Sequence, residues 1–467
     1  MRFLLLLMIA FAMFVPRTSA SEMPNIVLLY ADDAGYADFG FNGSPHFRTP
    51  HLDQLASEGT RLTQFYMSAS VCGPSRAGLL TGKYQQRFGF EENNVPGLMS
   101  PAGAVGEDMG LPLNEHTIGD HMQRLGYKTA IFGKWHMGYA DRFHPTKRGF
   151  DEFYGFRGGA RSYFAYSDSQ KQKLTRGHWM EDGFGKFEEH QGYLTDVLAD
   201  KTCEFIRRNS EKPFFAFVSF NAVHGPMHPD PKDADEFPAL DGKRRKLAQM
   251  ALSMDRACGK IINELKQLGL YENTLIIFTN DNGGPTFANS SSNYPFSGTK
   301  ATHREGGIRV PCIMTWPGKI PKNTVYEYPA IALDLLPTFY AVGGGDIQDL
   351  DGIDGVDLLP FMINKNKSDR PHTTLYWKKE IRGTIRHMDW KLLRYPDRPA
   401  ELYDLSEDPG EQINLAGEHP ELVAELYKKL FAWELRLDRP IFQLRRQEEV
   451  LWTDLHDTFS KPQVKDF

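Results

Sequence analysis

The chain has 467 residues, enough for a large core in one big domain or two unequal ones. Hydrophobic residues make up 41% and charged residues 24% of it, a balance that argues against both a disordered chain and a membrane protein. A formal net charge of -6 leaves no basic footprint for nucleic acid.

Arg2 precedes an apolar run from Phe3 to Val15, and Pro16-Arg17-Thr18-Ser19-Ala20 then offers small residues for cleavage. The run is shorter than the ~20 residues of a spanning helix, so it reads as a secretory signal peptide over 1–20, with no stable membrane insertion. The expected address is secreted or periplasmic, lysosomal or extracellular if the source is eukaryotic. Cysteines at 72, 203, 258 and 312 are too sparse for a disulfide framework, and their spacing does not say which pair a single bridge would join.

Asn25 to Tyr30 is a short continuous apolar run, as expected for a strand buried on both faces of a parallel sheet, and it ends in Asp32-Asp33. Thr49 to Gly59 has a cap, a proline at the first helical position and a glycine at the stop, which predicts a helix; it leads by Arg61 to Tyr66 into a strand expected to deliver Cys72. Val71 to Gly82 reads VCGPSRAGLLTG. Here Cys72 is a potential nucleophile at the entry of a helix, and Pro74 fixes the chain direction. Ser75 is expected to cap the next turn's free donors, which with Arg76 would favour an anion beside Cys72.

Thr117 and Asp120 form a capping-box-like start, and Lys128 to Phe132 reads as a strand that delivers Gly133-Lys134-Trp135-His136-Met137-Gly138. Lys134 and His136 lie two apart and project to one side of an extended segment. Residues 141–192, rich in Gly, Arg and aromatics, are expected as loop material around a pocket, with Arg157 and Arg161 suited to bidentate anion pairing. A helix from about Leu194 to Arg208 leads to a strand over Pro213 to Phe220 and then to His224, with His228 as a weaker site candidate. Helical spacing from about Leu247 to Leu268 precedes a strand over Asn273 to Thr279, which ends in Asp281-Asn282.

Lys300 and the segment Glu305 to Pro311 come next, then a strand over Ile313 to Trp316 and a helix near Leu333 to Tyr340. Asn364 to Asp369 is a polar break and the expected boundary, giving domains over 21–368 and 369–467. Beyond it come four strand-like stretches and a helix from about Glu421 to Arg436; the segment from Pro440 carries no legible motif. Alternating strands and helices with polar residues at strand ends predict an α/β fold, a mostly parallel sheet with helices on both faces. Asp32, Asp33, Asp281 and Asn282 make an oxygen-only set, which favours Ca2+ or Mg2+ over Zn2+.

The pattern Cys72-x-Pro74-Ser75-Arg76 with Leu80-Thr81-Gly82 resembles the sulfatase signature. The stretch from Thr49 to Gly59, the GKWHMG segment, His224 with Pro226, and Lys300 followed by EGGIRVP are similar to further segments of that family, in the same order. The resemblance implies an alkaline-phosphatase-like architecture closed by a small antiparallel sheet with one helix. It implies that a formylglycine-generating enzyme oxidises Cys72 to an aldehyde, and that Ca2+ binds Asp32, Asp33, residue 72, Asp281 and Asn282. Arg76, Lys134 and Lys300 would face the sulfuryl charge; His136 would serve the aldehyde hydrate, and His224 with Lys300 would protonate the leaving oxygen. The implied substrate is a sulfated carbohydrate, with Arg157, Arg161 and His228 as candidate contacts. Two alternatives are a phosphonate or phosphate ester hydrolase of the same superfamily and an inactive carbohydrate-binding protein.

Overall fold

The computed structural model describes residues 23–363 and 370–462, so the expected signal peptide and the expected boundary at 364–369 lie outside the described residues. The strands, in chain order, are β1 (Asn25–Ala31), β2 (Thr60–Leu62), β3 (Phe65–Tyr66), β4 (Lys128–Lys134), β5 (Glu152–Phe156), β6 (Glu181–Asp182), β7 (Phe214–Ser219) and β8 (Thr274–Asn280). They continue with β9 (Arg309–Val310), β10 (Cys312–Thr315), β11 (Thr324–Tyr326), β12 (Ala330–Ile331), β13 (Thr374–Lys379), β14 (Arg382–His387), β15 (Trp390–Arg394) and β16 (Glu401–Asp404).

The main sheet runs β11-β2-β10-β8-β1-β7-β4-β5-β6. Its centre, β8-β1-β7-β4, is parallel throughout, while β10 and β6 pair antiparallel with their neighbours. Alternation along β1 divides the core: Ile26, Leu28 and Tyr30 join one apolar cluster, Val27, Leu29 and Ala31 the other. The first cluster is covered by residues of the helices Cys72–Thr81, Ile118–Arg124 and Leu335–Val342, the second by those of Pro50–Ser57, Leu194–Arg208 and Gly242–Gln267. A sheet with helices on both faces is the architecture the run at Asn25 to Tyr30 predicts.

Some elements differ from the sequence reading. The stretch from Arg61 to Tyr66 is two strands in different sheets, β2 in the main one and β3 in a three-stranded sheet β12-β3-β9. Residues 152–156, expected as loop, form β5, where Gly155 lies beside Gly133 so closely that a Cβ would meet its carbonyl oxygen at 1.9 Å. The segment past Pro440 holds a helix, Arg446–Thr458. All four cysteines are buried and free, so no disulfide links them.

β13 to β16 form the small antiparallel sheet, with the helix Pro420–Glu434 packed against β14. Trp377 on β13 is fully buried and its indole N–H donates to the Met67 carbonyl at 2.7 Å. Lys391 on β15 is also fully buried, with its ammonium 2.8 Å from both Glu305 and Glu411. Glu411 in turn accepts from the Glu305 N–H at 2.8 Å and from the Ser297 hydroxyl at 2.7 Å. The small sheet therefore grips the segment that carries Lys300.

Candidate active site

Four neighbouring parallel strands end at one place. β1 delivers Asp32 and Asp33, β8 delivers Asp281 and Asn282, β4 ends in Lys134 and leads to His136, and β7 ends in Ser219 and leads to His224. Carboxyl ends of adjacent parallel strands are where open α/β sheets bind ligands. Asp33 and His136 hold left-handed backbone, at φ 62° and 61°, a conformation that costs a non-glycine residue roughly 1–3 kcal/mol and collects at functional sites.

The helix Cys72–Thr81 lies against these ends with all ten residues buried, and Cys72 is its first residue. Ser75 does not cap it. Its hydroxyl donates to the Asp281 carbonyl at 2.5 Å, and Asn93 does the capping, accepting the Gly73 N–H at 2.7 Å. The cap comes from a loop twenty residues away, where local pattern gives no sign of it.

The Cys72 thiol sits 3.6 Å from Asp32 Oδ1 and 3.0 Å from Lys300 Nζ. Lys300 also donates to Asp33 at 2.6 Å, and Lys134 to Asp32 at 2.6 Å. Arg76 clasps Asp281 through Nε at 3.1 Å and a terminal nitrogen at 2.9 Å, and its other terminal nitrogen donates to the Ser219 hydroxyl at 2.6 Å. Ser219 passes that bond on to the Lys134 carbonyl at 2.7 Å, so one serine fixes two of the cationic residues.

Burial and crowding set the charge states. Burial and the neighbouring Asp281 push Asp32 up to about 8 despite Lys134. Burial would also raise Asp33, but Lys300 and His224 outweigh it and hold the carboxyl low; for Asp281, Arg76 and Lys134 outweigh burial in the same way. Burial keeps the Cys72 thiol well above its usual value, with Asp281 adding to it. Burial lowers His224 to about 4 in spite of Asp33, and burial with Lys134 and Arg76 nearby keeps His136 neutral.

The oxygen donors here suit a hard cation, although the structure sets a thiol and an imidazole among them, which the oxygen-only reading of the sequence did not include. Asp32, Asp33, Cys72 and His224 each offer a ligand atom within 4.8 Å of one another, and the Asn282 side-chain oxygen is buried with no hydrogen-bond partner. Three carboxylates crowded enough to raise one of them, beside an orphan amide oxygen, match oxygen coordination of Ca2+ or Mg2+.

A cavity of about 300 Å³ opens over Cys72, His136, His224 and Lys300, walled by Asn93, Tyr139 and His178. Both ring nitrogens of His136 lack partners, and the ring rests on Gly159, where a Cβ would fall 2.6 Å from Nε2.

The family model described as Sulfatase matches residues 24–345, and one described as "N-sulphoglucosamine sulphohydrolase, C-terminal" matches 299–436. The chain belongs to the sulfatase family. It is 34% identical over 382 residues to the "N-acetylgalactosamine-6-sulfatase" of Canis lupus familiaris, covering 78% of this chain and 71% of the relative. It is 31% identical over 488 residues to "Arylsulfatase A" of Homo sapiens, covering 91% of this chain and 90% of the relative. Among solved structures, Ps i-CgsB superposes with a TM-score of 0.85 at 33% identity, covering 94% of this chain and 100% of that one. The same protein has been solved in complex with k-i-k-neocarrahexaose, with a TM-score of 0.84. This sulfatase is accordingly a sulfuric ester hydrolase with the alkaline-phosphatase-like fold.

Of the residues singled out in the sequence, Asp32, Asp33, Cys72, Arg76, Lys134, His136, His224, Asp281, Asn282 and Lys300 converge. Arg157, Arg161 and His228 stand apart from the thiol's cavity. Arg157 is pinned by Glu181 at 2.8 and 2.7 Å and by Asp141 at 2.8 Å; Arg161 is buried against Glu189 at 2.8 Å; the His228 ring lies 3.3 Å from the Ser162 hydroxyl. Sequence reasoning missed Asn93, Tyr139, Gly159, His178 and Ser219. Only Ser219, at the end of a predicted strand, left a positional clue.

Proposed function

We propose that this sulfatase hydrolyses a sulfate ester of a carbohydrate, with Cys72 converted to formylglycine and Ca2+, or Mg2+, held by Asp32, Asp33, Asp281, Asn282 and residue 72. The observation that carries this reading is the position of the Cys72 side chain, within reach of Asp32 and Lys300 on the floor of a cavity whose wall includes an unpartnered His136. The carbohydrate class draws on the k-i-k-neocarrahexaose complex of the 33% identical structure and on the name of the canine relative. Both point to a sulfated sugar.

When bound, the cation supplies Lewis acidity at a sulfate oxygen. A hydrated aldehyde at residue 72 would supply one hydroxyl for attack on sulfur, which expels the alcohol, and a second whose deprotonation would expel sulfate as the aldehyde re-forms. This chain's residues do the rest. Arg76, Lys134 and Lys300 hold fixed positive charge where the transferring group is negative. His136, neutral and unpartnered, accepts a proton from residue 72. His224 donates Nδ1–H to the Gly225 carbonyl at 2.7 Å, which leaves Nε2 free 3.4 Å from Asp33. A bound anionic ester opposes the depression of His224 and lets it, with Lys300, protonate the leaving oxygen.

We also propose secretion through the leader at 1–20, maturation by a formylglycine-generating enzyme, and division of the chain at 368 into a catalytic part and a C-terminal part. Among the described residues no helix is long and apolar enough to cross a membrane.

The test is a mass spectrum of the Cys72 peptide from protein made with a competent formylglycine-generating enzyme, paired with sulfate release from sulfated sugars. An aldehyde at 72, and loss of turnover in Cys72→Ala with substrate binding kept, are expected. An unmodified thiol in active protein overturns the mechanism. Phosphate and sulfate esters of one alcohol, compared side by side, distinguish this reading from the phosphatase alternative.

A further inference from the structure

A second cavity, of about 600 Å³, adjoins the one over Cys72 and shares Pro96, Tyr139 and Thr175 with it. The two together make one continuous cleft. Tyr139 is its divider, and one edge of its ring is lodged against Gly177, where a Cβ would lie 1.9 Å from Cδ1 and 2.1 Å from Cε1, so the ring is fixed with its faces clear of that contact. A fixed aromatic face shared by two compartments is a platform on which a sugar chain can lie, apolar ring on one side and hydroxyls free on the other.

Three arginines line the outer compartment, and they differ in one respect. Arg157 is committed to Glu181 and Asp141, and Arg142 to Asp108 at 2.6 Å. Arg176 makes no side-chain hydrogen bond or ion pair among the described residues; its guanidinium lies 5.8 Å from the ring centre of Phe187, another residue of the lining. A planar cation with all its donors open, beside an aromatic wall, matches the geometry of a sulfate or carboxylate.

Building on the carbohydrate-sulfatase reading, we infer that the outer cavity is a second-sugar subsite in which Arg176 binds a sulfate on the sugar next to the one being desulfated. The preferred substrate is then an oligosaccharide sulfated on adjacent sugars, with the reacting sulfate over residue 72 and the retained one at Arg176. Arg157 and Arg142 shape the wall and keep their carboxylate partners. Because Arg176 is exposed, its contribution is screened by salt, and the discrimination is about tenfold.

The test uses formylglycine-bearing protein and two galactose-containing disaccharides, one sulfated on the reacting sugar alone and one on both sugars. In the wild type, kcat/KM for the doubly sulfated compound is about tenfold the higher, and the ratio shrinks as salt is raised. Arg176→Ala brings the ratio close to one, chiefly through KM, and Arg176→Lys keeps part of it. Calorimetric titration of the doubly sulfated disaccharide into wild type and Arg176→Ala gives the same comparison without turnover. A ratio that is one in the wild type, or unchanged in Arg176→Ala, overturns the subsite and leaves the reaction at residue 72 standing. Failure to release sulfate from either disaccharide, while an aryl sulfate is cleaved, overturns the carbohydrate reading and the subsite with it.

Discussion

Gly159→Ala is a probe of His136 that replaces neither the histidine nor any of the cation ligands. The backbone at Gly159 is not left-handed, so alanine is conformationally allowed there, and the whole effect comes from one methyl group. That methyl would fall 2.6 Å from Nε2, 2.7 Å from Cε1 and 3.1 Å from Cδ2 of His136, where ordinary contact begins near 3.4 Å. The ring has to retreat by about 0.8 Å at its closest point. A displacement near 1 Å of a reacting group costs on the order of 10²-fold in rate, while overpacking of this kind costs about 1–3 kcal/mol of stability. The expected result is a loss near a hundredfold in kcat, with a much smaller change in KM, in protein that still melts cooperatively. Sulfate release from an aryl sulfate at saturating substrate, with the melting curve alongside, is the assay. Full kcat in Gly159→Ala would refute the placement of His136 in the proton path.

Two further outcomes follow from the buried charges. Lys391→Met leaves Glu411 without its cation and Glu305 with Arg309 alone as ion-pair partner among the described residues, and breaking a buried pair of this kind costs about 3–5 kcal/mol, read as a lower denaturation midpoint; a shift below about 1 kcal/mol would show the cluster to be structurally idle. Glu181 is held at about 2, because His144, 3.5 Å away, and the hydrogen bonds from Arg157 outweigh a burial that would raise it. Its folded pKa lies below the ordinary 4.5, so its stabilisation is complete above pH 4.5 and is lost as pH falls towards 2. Melting temperature followed through that window should fall more steeply in wild type than in Glu181→Gln, and equal slopes would rule the linkage out.

The parts of the fold legible from sequence are those whose causes are local. The apolar run at Asn25 to Tyr30 gives a strand buried on both faces, and Thr117 with Asp120 forms the expected capping box. β5 was not legible, since its Gly155 reads as loop punctuation until Gly133 is seen across from it. The site divides along the same line. Motif residues at strand ends converge as the pattern implies, whereas Asn93, Gly159 and Ser219 acquire their roles from partners 20, 23 and 85 residues away in the chain. Arg157 and Arg161 have the residue type that anion recognition calls for, but Glu181 and Glu189 absorb them. No local pattern separates a committed arginine from an open one such as Arg176.

The burial of the whole helix Cys72–Thr81 has a consequence in time. The last neighbour to close on Cys72 is Lys300, which lies 228 residues further along the chain. At synthesis rates of about 5–20 residues per second, roughly ten to fifty seconds pass between the appearance of Cys72 and the completion of its surroundings. Until then the cysteine is a side chain on a growing chain; afterwards it is 1% exposed beneath an ion-pair lattice. On the proposed conversion of Cys72, the modifying enzyme would race against folding, and a substitution that speeds closure of the sheet around β8 would lower the fraction of converted protein without altering any residue of the active site.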